Sequence, residues 1–369
     1  MNRRRNLLSP LTVTLAAVVC LAPYAAGLAR DTQTGNRLPS RLTDKEFWRL
    51  VVEFSEPGGY FQSDNLVSNE RPFQNVVPAL RQFPRGGVYL GVAPEQNFTY
   101  IAALEPRLAF IIDIRRGNLV AHLLYKALLE LSPDRADFLS RLFSRRRPPG
   151  LSKSSTVHEL FAAYGDADVE PDAAFYKENL RAITDQLTKT HGFDLHTEDR
   201  LQLEAIFGMF FQHGPGLTYA SSQGRGGRNM PSYAELQMGM DLDGQPRAFL
   251  ASEEHYTVLR AMAQKNLIVP IVGDFAGPKA LKAIGRYVAE QGATVTAYYT
   301  SNVEQYLFQN GVWQAFYANV ATLPVDERST FIRSARGQNV LDPIQLLLKD
   351  VAEGKIQTYA SITSRGSVR

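Results

Sequence analysis

Apolar positions along this chain follow two periods, and each period predicts an element type. Unbroken apolar runs at Val88-Tyr89-Leu90-Gly91-Val92 and at Leu108-Ala109-Phe110-Ile111-Ile112 predict buried strands, with a turn and a helix between them and an acid, Asp113, ending the second. Helical spacing comes earlier. Thr43-Asp44-Lys45-Glu46 has the form of a capping box opening a helix to about Ser55, with Phe47, Leu50, Val51 and Phe54 as its apolar face. Pro57-Gly58-Gly59 stops it, Asp64 to Glu70 reads as a polar loop, and another helix is expected around Gln74 to Phe83.

The run from Asn118 to Leu131 is strongly helical. From 132 to about 244 the strand–helix alternation is lost, and helical patterns recur at Ala136–Phe143, Val157–Tyr164, Asp172–Thr190 and Glu198–Phe211. The alternation resumes with a Ser252-capped helix from Glu253 to Gln264 and the strand Leu267–Asp274. A helix from Pro278 to Gln291, the strand Thr294–Tyr299 and a helix from Val303 to Phe308 follow. Val312–Ala321 and Thr330–Ser334 are expected as late strands at one edge. The fold class implied is α/β: a Rossmann-like, doubly wound, mostly parallel sheet with a helical insertion. Its halves are expected at 43–131 and at 251–369, the latter with a C-terminal tail, and the mostly helical insertion at 132–250.

The N-terminus reads differently. Arg3-Arg4-Arg5 precedes an apolar stretch from Leu7 to Leu28 that ends in small residues, the pattern of a signal peptide over 1–29 followed by a disordered linker over 30–42. The expectation is a periplasmic or secreted protein; an uncleaved segment would instead anchor the domain to the inner membrane, its only membrane contact. The single cysteine, Cys20, lies inside this segment, so the mature chain excludes disulfides, zinc–thiolate sites and cysteine nucleophiles. A net charge of +3 from 40 basic and 37 acidic residues implies no charge-driven partner, and the scattered basic residues make no nucleic-acid footprint. The partner class left is a small-molecule ligand; oligomeric state is not legible.

In an open parallel sheet ligands collect beyond the carboxyl ends of the strands. Four polar segments should arrive there: Gly91–Asn97, Asp113–Arg116, Gly273–Lys279 and Ser301–Gln305. In the first, Gly91 permits close backbone approach and Pro94 sits near the start of a helix whose free N–H groups favour an anion or carboxylate. The run is not G-x-G-x-x-G, which removes the pyrophosphate pattern. Asp113 is placed to meet a ribose diol, or else to pair with Arg115 or Arg116; Arg115-Arg116 would equally hold a phosphate or carboxylate. Asp274 either orients or deprotonates a substrate or caps the next helix. Asn302 and Glu304 follow the next strand, Asn302 as N-cap or ligand contact. Upstream, Asp64, Asn65, Asn69 and Glu70 lie in a segment able to fold over the first turn, or to serve only as turns and caps.

Other constellations carry no chemistry. His191 and His196 are five residues apart, on different helical faces, and no metal site is expected. His158-Glu159 lacks a zincin's second histidine, Asp241-Leu242-Asp243-Gly244 lacks an EF-hand's distal glutamate, and neither G-x-S-x-G nor a Walker lysine is present. Ser252-Glu253-Glu254-His255 is a helix cap, and Gly224–Arg228 a glycine-rich connector.

The strand–turn–helix–strand around Gly91 and Asp113, with the half from Leu267 to Phe308, resembles a class I S-adenosylmethionine methyltransferase core in architecture. The runs Ser63-Asp64-Asn65-Leu66-Val67-Ser68-Asn69-Glu70 and Gly273-Asp274-Phe275-Ala276-Gly277-Pro278-Lys279 resemble an uncharacterised exported bacterial family, over most of residues 45–310. The first resemblance implies S-adenosylmethionine as the cofactor, with Gly91 and Ala93 against its amino-acid moiety, Asp113 on its ribose, and Glu95, Gln96, Asn97 and Arg115 close by. From their positions, Asp64, Asn65, Asn69, Glu70, Asn302 and Glu304 are the candidates for the substrate side and Asp274 the catalytic candidate. No Asn-Pro-Pro-Tyr-type motif accompanies them. The non-catalytic alternative is an extracytoplasmic binding or interaction module on the same scaffold.

Overall fold

Each strand of the core is buried on both faces, which is why its sequence is nearly continuous in apolar residues rather than alternating. The structure is a computed structural model and describes residues 37–221 and 230–366. The expected signal segment, Cys20, the first part of the 30–42 linker and the Gly224–Arg228 connector lie outside them.

In chain order the elements are α1 (Asp44–Phe54), α2 (Val77–Leu80), β1 (Val88–Gly91), α3 (Gln96–Leu104), β2 (Leu108–Asp113) and α4 (Arg116–Leu131). The insertion contributes α5 (Arg135–Phe143), α6 (Val157–Gly165), α7 (Ala173–Asp185), α8 (Thr197–His213) and α9 (Tyr233–Met238). Then come α10 (Glu253–Gln264), β3 (Ile268–Val272), α11 (Ala280–Glu290), β4 (Val295–Ser301), α12 (Val303–Gln309) and α13 (Trp313–Val320). The chain closes with β5 (Thr330–Ala335), β6 (Gln338–Pro343), α14 (Ile344–Ala352) and α15 (Tyr359–Thr363).

The six strands form one sheet in the order β3-β2-β1-β4-β5-β6, parallel except for the last pair. This is the α/β, Rossmann-like arrangement expected, with α3, α4 and α10 packed together on one side and α1, α11 and α13 on the other. The insertion packs through α5, α7 and α8 onto α4 and shares the sheet's hydrophobic core.

Local chemistry explains the boundaries. Thr43 closes a reciprocal capping box with Glu46, and Ser252 caps α10 by accepting the His255 N–H. His191 lies between Asp44 (Nδ1 to Oδ1, 2.6 Å) and Glu130 (Nε2 to Oε2, 2.7 Å), so it ties the start of α1 to the end of α4.

Two expectations fail. Val312–Ala321 is the helix α13, not a strand: Trp313, Phe316, Tyr317 and Val320 have helical spacing, and the last three are buried together. Residues 37–42, expected to be disordered, are held instead. Leu38 and Leu42 are buried, and the N–H groups of Arg37 and Leu42 donate to Gln291 and Lys265 carbonyls.

Candidate functional site

The strand order reverses between β1 and β4, so the crossovers leave that rim on opposite sides and a crevice opens beyond the strand ends. A cleft of about 220 Å³ lies there, walled by Ala93 after β1, Asp113 at the end of β2, Asp274 after β3 and Ser301 and Asn302 at the end of β4. All four polar segments therefore meet at one place. Tyr60 and Phe61, from the loop after α1, form its outer wall.

The first turn is built from behind by Asn97. Its Nδ2 donates to the carbonyls of Val92, Ala93 and Pro94 (2.8, 3.1 and 2.7 Å), and its Oδ1 accepts the Tyr89 hydroxyl at 2.9 Å. A Cβ on Gly91 would stand 1.8 Å from that Oδ1, so the glycine makes room for Asn97. Glu95 is also behind the wall. Burial pushes its carboxyl up to about 7; Oε1 accepts the Ser68 N–H and Oε2 is a buried atom without a hydrogen-bond partner. Of the residues expected at this turn, Ala93 is the one on the cleft wall.

Asp113 is met by its neighbour. Arg115 donates Nε to Oδ1 (2.9 Å) and Nη2 to Oδ2 (2.7 Å), its backbone N–H adds a bond to Oδ1, and its Nη1 donates to the carbonyls of Ser63 and Asp64. The pair thus pins the 60s loop over the sheet. After β3, Asp274 Oδ1 accepts the Ala276 N–H at 2.9 Å in an Asx turn. The α11 N-terminus is capped instead by Glu56, whose Oε1 accepts the N–H groups of Lys279 and Ala280 (2.8 and 2.6 Å). Gly277 permits this, since a Cβ there would lie 2.3 Å from Glu56 Oε2.

At the end of β4 the chain parts two carboxylates. Glu304, expected beside Asn302 on the substrate side, is turned into the protein, where Arg333 pairs with it and Tyr317 donates to its Oε1 at 2.6 Å. It does not reach the cleft. Glu70 does reach the rim: Oε1 accepts Ser301 Oγ (2.5 Å), and Oε2 accepts Gln96 Nε2 (2.8 Å) and Asn339 Nδ2 (2.6 Å). With Asn65, Asn69 and Tyr219 it borders a polar side chamber of about 70 Å³ that shares Ala93, Ser301, Asn302 and Tyr306 with the cleft. Asp64 faces the other way, onto a cavity of about 450 Å³ between Arg115, Arg116 and α8. Arg116 is paired bidentately with Asp199 (2.6 and 2.7 Å), which raises the guanidinium further above its usual range.

Three of the seven described non-glycine residues with positive φ lie on the same wall. Asn65, Ala93 and Ser301 have φ of +46°, +65° and +53°, and all three border both cleft and side chamber. The left-handed region costs a non-glycine residue roughly 1–2 kcal/mol, least for Asn, and persists where the surroundings over-determine it.

Several contributors carried no readable signal. Tyr219 comes from an irregular stretch of the insertion and Asn339 from β6, which the sequence pattern did not reveal; Phe61 and Tyr306 look like ordinary packing residues. Among the described residues no group of three or more His, Cys, Asp or Glu side chains is placed to hold a metal ion, and no helix is long and apolar enough to cross a membrane. No curated protein matches the chain. The family described as Domain of unknown function (DUF7790) matches residues 65–207 and 215–361, and the chain belongs to it.

Proposed function

We propose that this DUF7790 member binds a nucleoside-type small molecule in the cleft where β1 and β4 diverge, in the manner of the methyltransferase-like proteins it resembles. The observation that carries this reading is the convergence of three strained non-glycine residues, Asn65, Ala93 and Ser301, on one wall of a cleft at the switch point. Asp113 suits a ribose hydroxyl. Arg115 occupies two acceptor positions on Oδ1 and one on Oδ2, and an ionised carboxylate has about four, so one remains. Asp274 Oδ1 is occupied by the Ala276 N–H, which leaves its other oxygen to accept from an exocyclic amine beside the Phe275 ring. S-adenosylmethionine, if bound here, would supply an electrophilic methyl group; the residues named bind and orient it.

A second reading, ligand capture without transfer, is favoured by one observation. Each carboxylate of the cleft and its side chamber already accepts hydrogen bonds from protein donors, which suits an acceptor better than a base. The export signal read from residues 1–29 points the same way, since S-adenosylmethionine is made and kept in the cytoplasm.

Calorimetry with S-adenosylmethionine, S-adenosylhomocysteine and adenosine tests the shared core of both readings. Binding that Asp113→Ala weakens at least tenfold supports them, and the absence of heat and of any thermal shift at millimolar ligand ends both. Formation of S-adenosylhomocysteine on incubation with candidate acceptors separates transfer from capture.

A further inference from the structure

The side chamber beside the switch point has an electrical character that the whole chain lacks. Glu70 is 7% exposed, yet its three side-chain donors, Ser301, Gln96 and Asn339, are all neutral, and no ion pair among the described residues reaches it. The described residues lining the chamber include no lysine, arginine or histidine. Taken with the adjoining cleft, three carboxylates, Glu70, Asp113 and Asp274, face one guanidinium, Arg115. A chain of net charge +3 therefore presents an acid-rich site. In a confined space such an imbalance favours a cation over a neutral group.

The walls narrow the class. The rings of Phe61, Tyr219, Tyr299 and Tyr306 border the chamber, and Phe61 meets Tyr306 edge-on at 5.2 Å. Aromatic faces attract ammonium and alkylated cations by roughly 0.5–2 kcal/mol each. Asn65 Oδ1, on the same wall, is a buried acceptor without a hydrogen-bond partner. A single water needs about 10–15 Å³ of such space, so the 70 Å³ chamber, which opens into the cleft, takes a group of a few heavy atoms.

We infer that this chamber receives a cationic end of the ligand, an ammonium or methylated onium centre, held between the Glu70 carboxylate and the rings of Phe61, Tyr219, Tyr299 and Tyr306. The inference rests on reading the cleft as a small-molecule site, but it concerns a separate part of the ligand. It makes Glu70 the residue that selects charge, while Asp113 and Asp274 select the nucleoside.

The test uses the purified full chain with tetramethylammonium and methylammonium chloride as bare probes, potassium chloride at matched ionic strength as control, and adenosine against S-adenosylmethionine as ligands. The expected result is stabilisation by the ammonium probes over potassium and at least tenfold tighter binding of S-adenosylmethionine than of adenosine. Glu70→Gln should abolish both preferences, with its fold checked by circular dichroism. Tyr306→Leu, whose ring lies outside the Glu70 hydrogen bonds, should weaken the tetramethylammonium response several-fold. If adenosine and S-adenosylmethionine bind alike and Glu70→Gln changes neither, the inference is overturned while the cleft reading stands. If no nucleoside binds but tetramethylammonium stabilises the wild type and not Glu70→Gln, the inference stands and the nucleoside reading falls. No response to any probe removes both.

Discussion

Two buried carboxylates flank the turn from β4 into α12, and they are satisfied in opposite ways. Glu304 sits in a closed ionic network in which Arg333 also reaches Asp342 (2.7 Å), and Arg365 joins Asp342 to Asp350. Glu70 meets only neutral donors. Burial works against the Arg333 charge, but Glu304 and Asp342 outweigh it and keep its proton held more tightly than usual. Glu304 is closed off by the guanidinium it pairs with, whereas Glu70, held by two amides and a hydroxyl, has no cation beside it among the described residues. Glu95, behind the same rim, has no cation beside it among the described residues, and burial pushes its carboxyl up to about 7.

The largest effect should come from breaking the closed region. Arg333→Met leaves Glu304 and Asp342 without their shared guanidinium, and a loss of about 3–5 kcal/mol in urea-denaturation stability is expected. The second is a pH effect at Glu95. Its folded value of about 7 lies above the unfolded 4.5, so its contribution is fully present below 4.5 and is lost as pH rises through 7. That range corresponds to about 3 kcal/mol, and Glu95→Gln should remove the decline, as urea midpoints from pH 4.5 to 8 would show. An unchanged slope in this variant would mean that the carboxyl is charged or paired. Third, Glu70→Gln turns one acceptor into a donor facing other donors, and should cost about 1–2 kcal/mol, well short of the Arg333 variant. A cost equal to that of Arg333→Met would erase the contrast between the two regions. Smallest, Ala93→Gly relieves a left-handed alanine and should raise stability by about 0.5–1 kcal/mol, with any loss falling on ligand affinity.

Much of the fold was legible because the strands are buried on both faces and their helices carry clear caps. Thr43 with Glu46, and Ser252 before α10, stand where the residues placed them. The aromatic run Trp313 to Val320 misled because β-favouring residues at helical spacing satisfy both descriptions until packing decides. β6 went unread: Gln338-Asn339-Val340-Leu341-Asp342-Pro343 is short and polar, and its pairing with β5 is a tertiary fact. At the rim, the segments themselves were legible from their position after strands. Which side chain of each faces the cleft was not. Gly91, Glu95 and Asn97 support the turn, while Glu304 follows the helix surface toward Arg333. Tyr219 and Asn339 reach the site from 149 and 269 residues beyond Glu70, the latter separation being that of the hydrogen bond itself.

That last span decides when the hydrogen bonds around Glu70 are complete. The amide of Asn339 is delivered by the final strand, which pairs only after nearly the entire polypeptide has emerged from the ribosome. A nascent or truncated chain ending before residue 338 lacks one of the donors that hold Glu70, whatever the state of its first half. The donor set around the Glu70 carboxylate is thereby completed last, by the pairing of the most distant strand in the sheet.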